Sequence, residues 1–247
     1  MTFPIVDREP VRLPTLSGHD DELWDTLIEL SDVRPGEWTL IGGQMVFLHA
    51  IEHGATPPRI STDLDVVVNA RIAGRPVAAF AAGLEVLGFE QDGISPDGIA
   101  HRYRRNRVTI DVLAPEGLGE RTDLTTTPPG RTLQVPGGTQ ALERTELVPV
   151  ATATRSGHVP RPSLLGAVVG KAMAVAVDDA PNAQRLDFVF LLSLIDDPFA
   201  LADQLTTKDR RRIRARKELL EGEHRVWGEL ETDARDRARA ALRVLIR

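Results

Sequence analysis

A chain of 247 residues with 42% hydrophobic and 27% charged side chains, and a formal net charge of −6, has the make-up of a globular protein able to bury a substantial core. It contains no cysteine, which excludes a disulfide framework, thiolate metal sites and a Cys nucleophile. The first residues carry Asp7, Arg8 and Glu9 rather than an apolar core, and the run Leu164 to Val177, charged only at Lys171, is too short to span a bilayer, so a cytoplasmic protein with no membrane partner is expected.

Residues 1–20, with Pro4, Pro10 and Pro14, read as an irregular lead-in. Asp20-Asp21-Glu22 opens an amphipathic helix with Leu23, Leu27 and Leu30 on one face, closed by Pro35-Gly36. Trp38 to Ile41 predicts a strand running into Gly42-Gly43, and Gln44 to His53 a helix stopped by Gly54. Asp63 to Asn69 reads as a strand and Val77 to Leu87 as a small apolar helix. His101 to Arg105 and Val108 to Ala114 form a strand pair, with further short strands around Leu133 and from Leu147 to Thr152. Beyond Pro162 the pattern turns helical. Ser163 caps a helix to about Val177, Gln184 to Ile195 forms the next, and two charged amphipathic helices follow. The expectation is an α+β protein: a mixed sheet flanked by helices over 21–158, then a helical domain over 159–247.

The segment Ser61-Thr62-Asp63-Leu64-Asp65-Val66-Val67-Val68 alternates cleanly, with Asp63 and Asp65 sharing one face. Two carboxylates side by side repel each other, which a fold tolerates where a hard cation sits between them or where the pair faces solvent. A second strand, Val108 to Leu113, carries Asp111 in an otherwise apolar run, where an ionised Asp must be paired, metal-bound or at the surface. If the two strands are neighbours, three carboxylates converge, enough for the metals of a phosphoryl-transfer site. Upstream, Gly42-Gly43 at a strand-to-helix turn lets backbone approach a phosphate, and the helix start presents free N–H groups.

Gly42-Gly43, then Arg59-x-Ser61-x-Asp63-x-Asp65, then Asp111 on a later strand, resembles the nucleotidyltransferase superfamily that includes DNA polymerase beta, and within it the AbiEii/MenT-type nucleotidyltransferase toxins. The resemblance implies that Asp63, Asp65 and Asp111 hold Mg²⁺, that Asp111 also activates an acceptor hydroxyl, and that Gly42-Gly43, with Arg59 and Ser61 beside them in the motif, cradles an NTP. It also implies that Lys171, on the first helix after the core, reaches the β/γ-phosphates. Asp187 in Arg185-x-Asp187 stands for the last motif, although Phe190 occupies the place of that motif's second acid; Asp187 orients Lys171 or serves only as an acid near a helix start. The implied reaction moves an NMP from an NTP to an acceptor hydroxyl with release of pyrophosphate. A tRNA 3′ end is the implied acceptor, growth inhibition the outcome, and an antitoxin a possible partner. A small-molecule (antibiotic) acceptor, or a non-catalytic nucleotide-binding protein of the same fold, are the competing readings.

Two other patterns stand out. His49-Ala50-Ile51-Glu52-His53 matches a zinc-peptidase spacing, but it falls on the helix behind the Gly-Gly turn and needs a further ligand from elsewhere. From Asp203 onward the local charge is +4 on a body of −10, and Lys208 to Lys217 holds seven basic residues against one acid. That run is either a solvated helix or a contact for an RNA phosphate backbone.

Overall fold

The computed structural model describes residues 2–15, 21–176, 181–221 and 224–247. The chain divides into two compact units, one of residues 1–45 and 61–162, the other of 46–60 and 163–247. The second is therefore built from the expected helical half together with an early segment, Val46–Ile60. Residues 16–20 of the lead-in and the predicted helix end at Val177 lie outside the described residues. No described helix is long and apolar enough to cross a membrane.

The first unit is α+β. Helix α1, Glu22–Val33, buries Leu23, Trp24, Leu27, Ile28 and Leu30 along the face that its i, i+4 spacing predicts. Strand β1, Val11–Arg12, lies within the lead-in. Strand β2, Trp38–Ile41, leads directly into α2, Gly42–Glu52, so the two glycines form the first turn of the helix rather than a loop before it. Strand β3, Asp63–Val68, is followed by α3, Pro76–Val86, whose leading proline has its φ pre-set for a helix start. Next come β4, Glu90–Gln91, β5, Arg102–Arg105, and β6, Val108–Pro115. Then follow β7, Gln134–Val135, α4, Gly138–Glu143, β8, Thr145–Ala151, and β9, Ser156–Pro162.

These strands make two sheets. The larger has the order β2-β3-β6-β5-β4, with β7 paired to β6. Strands β3 and β6 run parallel, and β2 and β5 flank them antiparallel, so the sheet is mixed as expected. Every residue of β6 is buried, which suits the continuous apolar run Val108 to Ala114 at the centre of a sheet. The smaller sheet, β1-β8-β9, joins Val11 in parallel to Val150 and closes β8 against β9 from Thr145↔Pro162 to Ala151↔Ser156.

The second unit is helical. After α2's later turns it comprises α5, Leu164–Ala174, α6, Pro181–Ser193, α7, Pro198–Asp203, α8, Thr207–Arg214, 3₁₀ turns at Lys217–Leu220 and Arg225–Glu229, and α9, Thr232–Leu245. The Ser163 hydroxyl accepts from Gly166 N–H, the cap that the sequence predicts for α5. The Thr206 side chain and Asp209 cap α8 reciprocally. Phe188, Leu191, Leu192, Ile213, Ala241, Leu242 and Leu245 are sealed from solvent, and the Trp227 indole N–H among them donates to Leu219 O at 2.8 Å.

Candidate active site

Asp63, Asp65 and Asp111 belong to the first unit, and their relation follows from strand register. On the parallel strands β3 and β6 the Cα partners are Asp63↔Thr109 and Asp65↔Asp111. Partners on adjacent strands project to the same side, so the alternation that puts Asp63 and Asp65 on one face also puts Asp111 there. Leu64, Val66 and Val68 fill the opposite, buried face. The two strands are neighbours, and the three carboxylates lie on one face of the larger sheet.

Gly42 is fitted to this row. It has φ +70°, a left-handed conformation that L side chains rarely adopt, and a Cβ built there would overlap the Asp65 carboxylate. A glycine at position 42 is thus required by close packing against an acid as well as by backbone geometry. Behind it, the buried Gln44 donates from Nε2 to Ser61 O, tying the first turn of α2 to the residue two before Asp63.

The structure adds a residue that the sequence reading did not single out. Arg102 on β5 is the register partner of Asp111 on its other side. Its guanidinium grips the carboxylate with both prongs, Nε to Oδ1 at 2.8 Å and Nη2 to Oδ2 at 2.7 Å. That hydrogen bond, reinforced by the charges of Asp111, Asp63 and Asp92, raises the Arg102 pKa further above its ordinary value despite partial desolvation. His101 Nε2 stands 3.9 Å from Asp111 Oδ2. Among the described residues no group of three or more His, Asp or Glu side chains is gathered tightly enough to hold a metal. The third carboxylate is instead neutralised by an arginine. The donor chemistry of Asp63 and Asp65, two hard carboxylates on one strand face, fits a divalent cation such as Mg²⁺.

Arg59, Lys171 and Asp187 meet in the second unit. Asp187, on the first turns of α6, is fully buried. It accepts Arg59 Nε at 2.9 Å and Nη2 at 2.7 Å, and Lys171 Nζ lies 2.8 Å from its Oδ2. Lys171 Nζ also donates to Gln184 Oε1 at 2.8 Å. Of the two roles open to Asp187 from sequence, the structure places it on Lys171. It places Arg59 there as well, with its guanidinium on the acid.

The His49–His53 pattern makes no metal cluster among the described residues. Helix α2 ends at Glu52, His49 is buried, and His53 Nδ1 lies 2.8 Å from the His49 carbonyl oxygen.

No protein-family model and no curated protein sequence matches the chain. In structure it is similar to an antigenic nucleotidyltransferase-like protein from Paracoccidioides brasiliensis, at 14% identity over 81% of this chain and 91% of that one, with a TM-score of 0.46.

Proposed function

We propose that the chain is a metal-dependent nucleotidyltransferase that moves an NMP from an NTP to an acceptor hydroxyl, with a tRNA 3′ end as acceptor. The observation that carries this reading is the row of Asp65 and Asp111 in register, with Asp63 on the same face and Gly42 shaped to the Asp65 carboxylate. Asp63 and Asp65 would hold the Mg²⁺, which when bound offsets the triphosphate's charge and lowers the barrier to loss of pyrophosphate. The acceptor oxygen bonds to the α-phosphorus, the bond to the β-phosphate oxygen breaks, and a carboxylate of the row, Asp111 by resemblance, takes the hydroxyl proton. The first turn of α2 presents backbone N–H groups suited to a phosphate. Lys171 has one ammonium donor beyond those on Asp187 and Gln184, and the resemblance assigns it to a phosphate oxygen. The same resemblance supports a growth-inhibiting toxin of the cytoplasm, held in check by an antitoxin.

The test is incubation of the purified protein with Mg²⁺, each α-labelled NTP in turn and total tRNA, with products resolved on a gel. Label in tRNA with one nucleotide is the expected result. Pyrophosphate released only when small hydroxylated compounds replace tRNA would move the reading to a small-molecule acceptor.

One observation favours that second reading. Most of the basic run on and after α8 is engaged within its own unit. Arg210 Nη2 donates to Ala202 O at 2.6 Å, and Arg214 holds the Ile246 and Arg247 carbonyls at 2.9 and 2.8 Å. Arg212, Arg216 and Lys217 pair with Asp209, Glu218 and Glu221 at 3.6–3.8 Å. Lys208 and Arg211 are the exposed cations of the run outside these contacts. For an RNA enzyme, Lys208→Gln with Arg211→Gln should weaken tRNA binding and lower its log–log salt slope by about 1.5. An unchanged slope would remove this helix from RNA binding. Arg214 is a poor probe, because its loss also leaves the Ile246 and Arg247 carbonyls without its guanidinium.

A further inference from the structure

The pairing of Arg102 with Asp111 bears on how the proposed site takes up metal, and the inference rests on the nucleotidyltransferase reading. Asp65, Asp111 and Arg102 form one line of register partners across β3, β6 and β5. Arg102 occupies both oxygens of Asp111 in the side-on, two-pronged geometry that is the strongest form of this contact. A divalent cation shared by Asp65 and Asp111 would sit close to that guanidinium, and like charges so placed repel. The guanidinium is also able to leave. Its side chain is 42% exposed, whereas that of Asp111 is 12% exposed. The arginine can therefore swing towards water while the carboxylate stays in place.

We propose that Arg102 is a counter-ion gate on Asp111. In its inward position it neutralises the third carboxylate and leaves the metal site to Asp63 and Asp65. When it swings out, Asp111 becomes available to a cation shared with Asp65, and the released guanidinium is an anion receptor beside the same strand face. A polyphosphate, which attracts both the cation and the arginine, favours the open arrangement. Metal binding at Asp111 and nucleotide binding are coupled through a single side chain, and each strengthens the other by the same factor.

The test is Mn²⁺ binding, followed by the loss of free-ion electron paramagnetic resonance signal, to the full chain without nucleotide. If the gate is open about a tenth of the time, the apparent affinity of the Asp111-dependent site is about tenfold below its intrinsic value. Arg102→Gln should therefore bind Mn²⁺ about tenfold more tightly, and adding Asp111→Asn should abolish that gain. Arg102→Lys keeps a cation but not the two-pronged grip, and should fall between wild type and Arg102→Gln; thermal unfolding of each variant reports that it is folded. Equal Mn²⁺ affinity in wild type and both folded Arg102 variants would overturn the gate while leaving the carboxylate site standing. No Mn²⁺ binding in any of them would overturn the gate and the metal-dependent reading together. If Arg102→Gln does not fold, the lysine variant decides the matter on the same scale.

Discussion

Replacing Asp65 by Asn is expected to reduce kcat by at least about 10²–10³-fold, the scale of losing one preorganised electrostatic contact to a reacting centre. Its melting temperature should move by no more than about 2–4 °C, equivalent to about 1 kcal/mol in a chain of this size. Asn has the shape of Asp and fills the same space against Gly42, which carries no Cβ. The exchange removes a charge that faces the proposed cation, while the strand on which it lies stays paired to Ile41 on one side and Asp111 on the other. Pyrophosphate release and thermal unfolding measured on the same preparation check both halves. Near-wild-type turnover would remove Asp65 from the metal site. Asp111→Asn is a less discriminating variant, because it also deprives Arg102 of its two-pronged partner.

The largest effect on stability is expected at Asp187. Asp187→Ala leaves the guanidinium of Arg59 and the ammonium of Lys171 without the buried anion that they share; Lys171 is 5% exposed and Arg59 31%. Breaking a buried ion pair from one side costs about 3–5 kcal/mol, chiefly through the uncompensated charge left behind. The melting temperature should fall on the order of 10 °C. The companion double variant, Asp187→Leu with Arg59→Met, removes one cation with the anion and should recover part of that loss. If Asp187→Ala unfolds within 2 °C of wild type (about 0.5–1 kcal/mol), the cluster is not a stabilising one and Asp187 matters only through Lys171.

What could be read from sequence divides along a physical line. Helices α1 and α5 were legible because their apolar spacing and capping residues are local. Strands β3 and β6 were legible from alternation and from a continuous apolar run, and with them the shared face of the three acids. Strand β9 was not expected: Ser156–Pro162 contains two prolines, a histidine and an arginine, which argue against a strand until β8 is there to pair with it. Strand β1, only two residues long, was hidden in the lead-in for the same reason. The partners of the site residues are set by tertiary structure. Arg59 reaches an acid 128 positions later, and Arg102 meets Asp111 only through the register of an antiparallel pair. A basic residue opposite a predicted strand acid, at equal distance from the short Asn106-Arg107 connection, was the available signal for Arg102. The basic run after Thr206 shows the converse: seven like charges read as a solvated helix or a surface for RNA, and five of them are paired with carbonyls and carboxylates of their own unit, Arg214 and Lys217 while still exposed.

The parallel pairing of β1 with β8 has a consequence for biosynthesis. Val11 finds its partner at Val150, 139 positions later, and Ile5 bridges to Leu147. At ribosomal rates of about 5–20 residues per second, β1 waits roughly 7–28 s for its mate to be synthesised. Throughout that interval Val11, buried in the finished molecule, lacks the strand that pairs with it. The smaller sheet is thus a high-contact-order step that closes only after β8 has been made, so slowing translation lengthens the time for which β1 is unpaired.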